Sequence, residues 1–337
     1  MLLRAILVLS LVALLLGSGA SFAADLEVEV DLVLGSDDDQ EAYIIGSPSS
    51  VVESFAGDIF VGDSRQMKVL RFTESGEFLG YLGKTGDGPT DLMRRFCLAI
   101  DSEDKIYIVG QGRRVEVVDL EWNYLESFER ENAGSVAWGL SVQKEGGVII
   151  SSPNTSDQTV LAQYDPSWTY IRSFSNTFAV ETDFPSQYER NFAGGHVTIG
   201  PSDEVFYSQR APYEIRLFTK SGELIKATSQ GGEGFVDPPQ KPKVEGDRVG
   251  FFSNSSTTGI ATLGSGGVLV TATPLSEGGE RSSLLCLYDY ELNLVGSRVV
   301  EGLMSLIGKS TGGRAYFLRE SETGKEVVRA KVGIANP

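Results

Sequence analysis

The sequence predicts an all-β chain, a six-bladed β-propeller with four antiparallel strands per blade and its last blade closed by the N-terminal strand. Three observations predict it: one strand–turn–strand unit recurs six times, Gly, Ser and Asp punctuate it at short intervals, and the last copy lacks a strand that an N-terminal segment can supply. Radial repetition of four-stranded sheets is the signature of a propeller.

The clearest copy occupies residues 57–83. Residues 58–61 read as a short strand, 62–66 as a turn, 67–72 as a second strand, 74–77 as a tight turn and 78–82 as a third strand. Apolar alternation bounded by Gly and Ser favours strand over helix here. The first of these strands returns at 105–108, 147–150, 204–207, 267–270 and 314–317, and the second at 115–119, 160–164, 214–218, 284–288 and 327–331. A further strand precedes each Gly-rich or acidic turn, as 97–101 does before Ser102, Glu103 and Asp104. The last unit ends near Gly333 with three strands. Residues 26–34 set Leu26, Val28, Val30 and Leu32 against Glu27, Glu29 and Asp31, the pattern of an edge strand with one wet face. This segment is expected to complete the final blade; the alternative is a disordered acidic leader.

The first unit carries Asp58-Ile59-Phe60-Val61-Gly62-Asp63-Ser64, then Val69-Leu70-Arg71-Phe72, Ser75-Gly76-Glu77-Phe78-Leu79 and Gly83-Lys84-Thr85-Gly86-Asp87-Gly88-Pro89. It resembles an NHL-type repeat, and the chain is similar to exported bacterial six-bladed propellers of that class. The match is specific in this unit and its junction with Phe96-Cys97-Leu98-Ala99-Ile100-Asp101, weaker in the second and fourth units, and only architectural elsewhere. NHL-like propellers include binding scaffolds as well as enzymes, so the resemblance implies fold rather than activity. The amidating lyases of this fold hold zinc with several histidines, whereas His196 stands alone here, too few for a zinc site of about three protein ligands. Lactonase-like propellers place a metal on the axis with acidic and amide side chains, and no such ligand set aligns with this sequence.

Residues 1–23 read as a secretory signal peptide: Arg4 supplies the positive end, residues 5–16 an apolar run too short to span a bilayer, and Ser21-Phe22-Ala23 a small-residue cleavage site. The alternative is an uncleaved anchor. The mature chain, residues 24–337, is expected to be one domain, exported to a periplasm or outside the cell, without a later membrane span and monomeric. The formal charge of −17, from which cleavage removes the positive Arg4, disfavours nucleic acid and anionic lipid as partners. Cys97 and Cys286 are the two cysteines, too few for a disulfide framework. Both sit in apolar runs and are expected to be buried, inert thiols.

In a meandering propeller the turns between first and second strands and between third and fourth share one face. Here those turns are short, as at 102–104, 121–123, 144–146, 201–203 and 220–223. The opposite face receives the long insertions 84–95, 151–159, 175–195, 229–258 and 271–283, and loops of that length are functional or disordered more often than inert. It is therefore the expected binding face, unless the insertions merely cap the channel. Arg94, Arg95, Arg113, Arg190 and Arg210 recur beside the inter-blade junctions and would suit a carboxylate, phosphate or sugar-acid ligand; salt bridging between blades is the alternative. Tyr188, Tyr213, Trp138, Phe251 and Phe252 are candidates for stacking on a ring or anchoring a peptide, and His196 opens an inner strand at a channel mouth. Asp63 is expected to accept turn amides, with axial metal binding as the alternative. The sequence contains no nucleophile elbow, phosphate loop, zinc cluster or EF-hand loop.

The leading functional expectation is a non-catalytic module that binds a peptide, protein segment or glycan on the long-loop face and needs no cofactor. The competing one is a metal-dependent hydrolase or lactonase with a divalent cation on the axis, favoured if Glu53, Asp63 and Asn154 converge. A purely structural subunit with a wide apolar patch is the third.

Overall fold

The structure, a computed structural model, describes residues 24–35, 43–177 except 87, 94, 111, 113, 132–133, 135 and 155, 191–274 except 233, 240–242, 246–247 and 251–254, and 281–335 except 323. The expected leader therefore lies outside the described residues.

Strands joined by turns make up most of the described residues. Among the described residues they form six four-stranded antiparallel meanders. The first is Pro48–Glu53, Ile59–Asp63, Lys68–Phe72 and Phe78–Leu82. The second is Cys97–Ile100, Ile106–Val109, Arg114–Val118 and Tyr124–Glu129. The third is Gly139–Val142, Val148–Asn154, Thr159–Tyr164 and Tyr170–Asn176. The fourth is Gly195–Ile199, Val205–Gln209, Glu214–Phe218 and Leu224–Thr228. The fifth is Ser256–Thr262, Val268–Thr273, Ser282–Tyr288 and Leu294–Glu301. The sixth is Met304–Lys309, Ala315–Glu320 and Lys325–Ile334, with Ala24–Leu34 as its fourth strand.

Second strands such as Ile59–Asp63, Ile106–Val109 and Val205–Gln209 are buried along their whole length. They pack on both faces, which is why they read as continuous apolar runs. Outer strands such as Phe78–Leu82 alternate between partly covered and exposed positions, as one wet face requires.

One turn chemistry serves the connections on the short-loop face. In the turn beginning at Ser54 the Ser54 amide donates to the Asp58 carbonyl, and the Gly57 amide donates back to the Ser54 carbonyl. The same pair of bonds recurs in turns beginning at Thr73, Asp101, Asp119, Gln143, Asp165, Gly200, Thr219, Leu263, Asp289 and Ser310. The fourth residue of most of these turns has a left-handed backbone, and where it is Gly146 (φ 86°) or Gly222 (φ 81°) glycine supplies that conformation without strain. Aspartates open four of the turns, and each accepts the amides two and four residues on, as Asp119 does from Glu121 and Asn123.

The apolar core is divided among the junctions between meanders. Val61, Leu70, Phe72, Tyr316 and Val327 join the sixth meander to the first; Phe60, Leu98 and Ile108 join the first to the second; Val109, Val148 and Tyr164 the second to the third. Ile149, Val197 and Tyr207 link the third and fourth, Phe206, Ile215 and Val270 the fourth and fifth, and Leu269, Leu306 and Phe317 the fifth and sixth. The first strands of the meanders neighbour one another in the same order, and Val51 bridges in parallel to Gly308 to bring the last beside the first. The approach is close: a Cβ on Gly308 would lie 2.2 Å from the Val51 carbonyl oxygen, and one on Gly259 would lie 2.1 Å from that of Leu306. Hydroxyls tie these unpaired strand edges together. Ser50 accepts the Leu98 amide, Ser141 donates to the Val197 carbonyl, Thr262 donates to the Ile199 carbonyl and Thr271 accepts the Leu306 amide.

Ala24–Leu34 pairs antiparallel with Lys325–Ile334, with Leu26 opposite Ile334 and Leu34 opposite Val327. Leu26 is fully buried in the cluster between the fifth and sixth meanders, and Leu34 is buried in that between the sixth and the first. Asp31 accepts from Arg329 at 2.9 Å and pairs with Arg314. Asp31 on this strand therefore has cationic partners.

Described parts of three insertions contain further strand. Strand Val148–Asn154 runs past Ser151, which leaves four residues before Thr159. Within 229–258, Lys243–Glu245 pairs with Arg248–Gly250 as a hairpin, and within 84–95, Lys84–Thr85 pairs with Asp91–Leu92. The expectation of two buried thiols holds for Cys286, whereas Cys97 is half-buried because it is the first residue of an inner strand and faces the central cavity. Burial pushes the Cys97 thiol up to about 11, so it stays protonated at neutral pH.

Candidate functional site

Residues of the first strands of the six meanders line one cavity of about 380 Å³. Ser49, Cys97, Trp138, His196 and Thr258 line it near the starts of those strands, and Glu53, Asp101, Lys144, Lys309 and Thr311 near their ends. Because the first-to-second turns follow the strand ends, the second group lies at the short-turn mouth. The first group lies at the mouth that receives the longer loops.

At the long-loop mouth a cationic group is assembled on a stacked platform. Gly194 and Gly195 lead into the inner strand, and a Cβ on Gly194 would meet the Trp138 ring at 2.6 Å, so the missing side chain is what lets Trp138 lie flat against that backbone. The Arg210 guanidinium sits 4.8 Å from the Trp138 ring centroid on a cation–π contact. Its backbone is fixed on both sides, with the Arg210 amide donating to the Gly194 carbonyl and its carbonyl accepting the Thr257 amide. Burial, and then the nearby Arg95 guanidinium, depress Arg210 from its ordinary value. It remains an arginine and stays charged at neutral pH. Among the described residues no carboxylate pairs with Arg95 or Arg210.

His196 lies half-buried on the adjoining strand, opposite Ser208. Burial, followed by the Arg210 charge, lowers its pKa to about 4. It is a neutral imidazole at pH 7, able to donate from one ring nitrogen and accept at the other. The mouth thus offers two guanidinium groups without a carboxylate partner among the described residues, beside a neutral histidine, an arrangement that can grip an oxyanion and hydrogen-bond a neighbouring hydroxyl.

Not every residue singled out in the sequence joins this group. Arg95, His196 and Arg210 come together, and Trp138 serves as the platform under Arg210. Tyr213 is buried among Phe206, Ile215 and Leu284, and its hydroxyl meets that of Tyr288 at 2.7 Å. It packs between the fourth and fifth meanders and takes no part in the cavity lining. Arg94, Arg113, Tyr188, Arg190, Phe251 and Phe252 lie outside the described residues.

The carboxylate constellation does not form. Glu53 pairs with Ile59 at one end of the first meander, and Asp63 is opposite Pro48 at the other, about 16 Å away at the rise of a strand. Asn154 belongs to the third meander. Asp63 is fully buried and accepts the amides of Gly46, Ser47, Arg65 and Gln66, a turn-holding role. Glu53 takes Thr311 at 3.0 Å and the Tyr316 hydroxyl. Among the described residues no three His, Cys, Asp or Glu side chains gather as a metal site.

Sequence reasoning missed Lys309 on the inner strand of the sixth meander. It is the last residue of that strand and lines the cavity. Lys309 donates to Thr262.

No protein-family model matches the chain, and no curated protein matches it. Solved structures do. A member of the DUF4221 family from Bacteroides vulgatus superimposes with a TM-score of 0.61 at 10% identity, covering 93% of this chain and 100% of that one. A Bacteroides fragilis protein named as a candidate exported protein gives 0.55 at 10% identity over 93% and 97%. Virginiamycin B lyase from Staphylococcus aureus gives 0.50 at 11% identity over 91% and 99%. The fold is a β-propeller. At these identities the likeness extends to fold alone, and the NHL-type pattern of the first blade has no separate support from it. Among the described residues no helix is long and apolar enough to cross a membrane.

Proposed function

We propose that the chain is an exported, single-domain, six-bladed propeller, closed by its N-terminal strand, that works as a binding module and takes an acidic ligand at its long-loop mouth. The observation that carries this reading is Arg210, stacked on Trp138 beside Arg95 and His196 without a carboxylate partner among the described residues, in a chain of net charge −17. Two guanidinium groups held together with no acid between them among the described residues have hydrogen-bonding capacity left for a ligand. A uronic-acid glycan or an acidic peptide segment matches the chemistry, because the carboxylate meets the arginines while hydroxyls or amides meet His196. Six inner strands around one cavity, six interleaved core clusters and the docked strand Ala24–Leu34 support closure. Export rests on the sequence of residues 1–23 and on the likeness to the Bacteroides fragilis protein.

The test is an array of acidic and neutral oligosaccharides and peptides probed with the mature protein and with Arg210→Ala. Acidic members, trigalacturonate among them, are expected to bind, and Arg210→Ala to weaken them by about 10- to 100-fold, the worth of a charge-assisted hydrogen bond. Equal binding of neutral members, or an undiminished Arg210→Ala, would sink the reading.

A further inference from the structure

The opposite end of the cavity holds a second cation with different surroundings. Lys309 closes the inner strand Met304–Lys309 and reaches across to the fifth blade, where its ammonium donates to the Thr262 hydroxyl. That hydroxyl is itself oriented, since it donates to the Ile199 carbonyl at 2.9 Å. An ammonium carries three donors, so two remain.

The nearby acids are already engaged. Glu53 on the adjoining strand receives Thr311 and Tyr316, and Asp101 receives the amides of Glu103 and Lys105 and the Tyr107 hydroxyl. Among the described residues none pairs with Lys309. Lys144, also in the lining, directs its ammonium to the Pro201 carbonyl. The side chain of Lys309 is exposed, and the exposure opens into the cavity. Surrounding protein pulls its pKa down to about 8, which leaves it cationic at pH 7.

Apolar surface is also present in the lining. Ile307, two residues before Lys309 and partly buried against the cluster between the sixth and first blades, contributes to it, as do Ile100 and Val142 from the second and third blades. The volume of about 380 Å³ lies at the small-molecule end of ligand sites, which span about 300–1,000 Å³. One cation with two spare donors, one fixed hydroxyl and apolar lining surface select a single compact anion on an apolar body.

We propose that the central cavity binds a small monocarboxylate, its carboxylate on Lys309 beside Thr262 and its hydrocarbon body along Ile307, Ile100 and Val142. The site is separate from the arginine mouth and does not depend on it.

Ligand-observed NMR titration of the full mature protein with hexanoate and hexan-1-ol tests this. Hexanoate is expected to bind at least about tenfold tighter than the alcohol. Lys309→Met brings hexanoate down to the alcohol's level, and Lys309→Arg keeps most of the preference. Unaltered hexanoate binding in Lys309→Met, or equal binding of acid and alcohol to the wild type, overturns the proposal. Should Lys309→Met fail to fold, the wild-type protein gives the answer through acetic anhydride labelling read by peptide mass spectrometry. Hexanoate must slow acetylation of Lys309 and not of Lys144, and an unchanged Lys309 rate overturns the site.

Discussion

At the residue scale, environment decides what each group does. Arg210 and Arg329 have the same side chain and opposite fates. Arg329 is held by Asp31 at 2.9 Å and faces Glu53 at 3.8 Å, whereas Arg210 has an aromatic ring and another arginine. His196 is sensitive to both burial and that arginine, and its folded pKa near 4 lies below the roughly 6.5 of an unfolded histidine. A group depressed on folding contributes stability that is complete above about pH 6.5 and is lost as pH falls toward 4, because the unfolded chain takes up the proton first. The imidazole resonances are therefore expected to stay constant from pH 8 to about 5.5, and His196→Asn to lose part of the acid sensitivity of melting. A midpoint near 6.5 in the folded protein would show that the imidazole is solvated and away from Arg210. Of this site the sequence offered the residue types and the face. It offered neither the Arg210–Trp138 stack nor the burial of Tyr213, because both depend on how adjacent blades meet rather than on local pattern.

At the scale of elements, the strands were legible because each blade repeats a short apolar run closed by one turn. The runs at 105–108, 204–207 and 267–270, which become the second strands of their blades, fall within one to three residues of Ile106–Val109, Val205–Gln209 and Val268–Thr273. The turns were legible where Gly, Asp, Ser or Thr occupied the positions that accept amides or turn left-handed. They were less so at Trp122 and Trp168, where bulky residues adopt positive φ. Trp168 repays this by stacking on Phe128 at 4.4 Å within the second–third cluster. The strand Ala24–Leu34 makes a sharp demand on stability. Leu26 is fully buried and Val30 is 41% exposed, so Leu26→Ala should cost about 2–5 kcal/mol in urea unfolding, as core leucines do, and Val30→Ala should be within about 0.5 kcal/mol of the wild type. Equal, small effects would mean that the strand does not hold the last blade.

At the scale of the molecule, the faces divide the work. The short-turn face is uniform and rigid, with Asp104 accepting the Phe55 amide and Asp203 accepting the Lys144 amide so that neighbouring turns hold one another. The opposite face holds Arg95, Trp138, His196 and Arg210. The fold alone does not select an activity; under the proposed function the side chains at this mouth do. Hydrogen exchange of the mature protein with and without saturating trigalacturonate tests the assignment of the working face most directly. The account predicts added protection at 95–97, 136–139, 193–196 and 209–213, with the turns 54–58, 101–105, 143–147, 200–204 and 310–314 unchanged. Protection confined to those turns, with none at the arginine mouth, would contradict it.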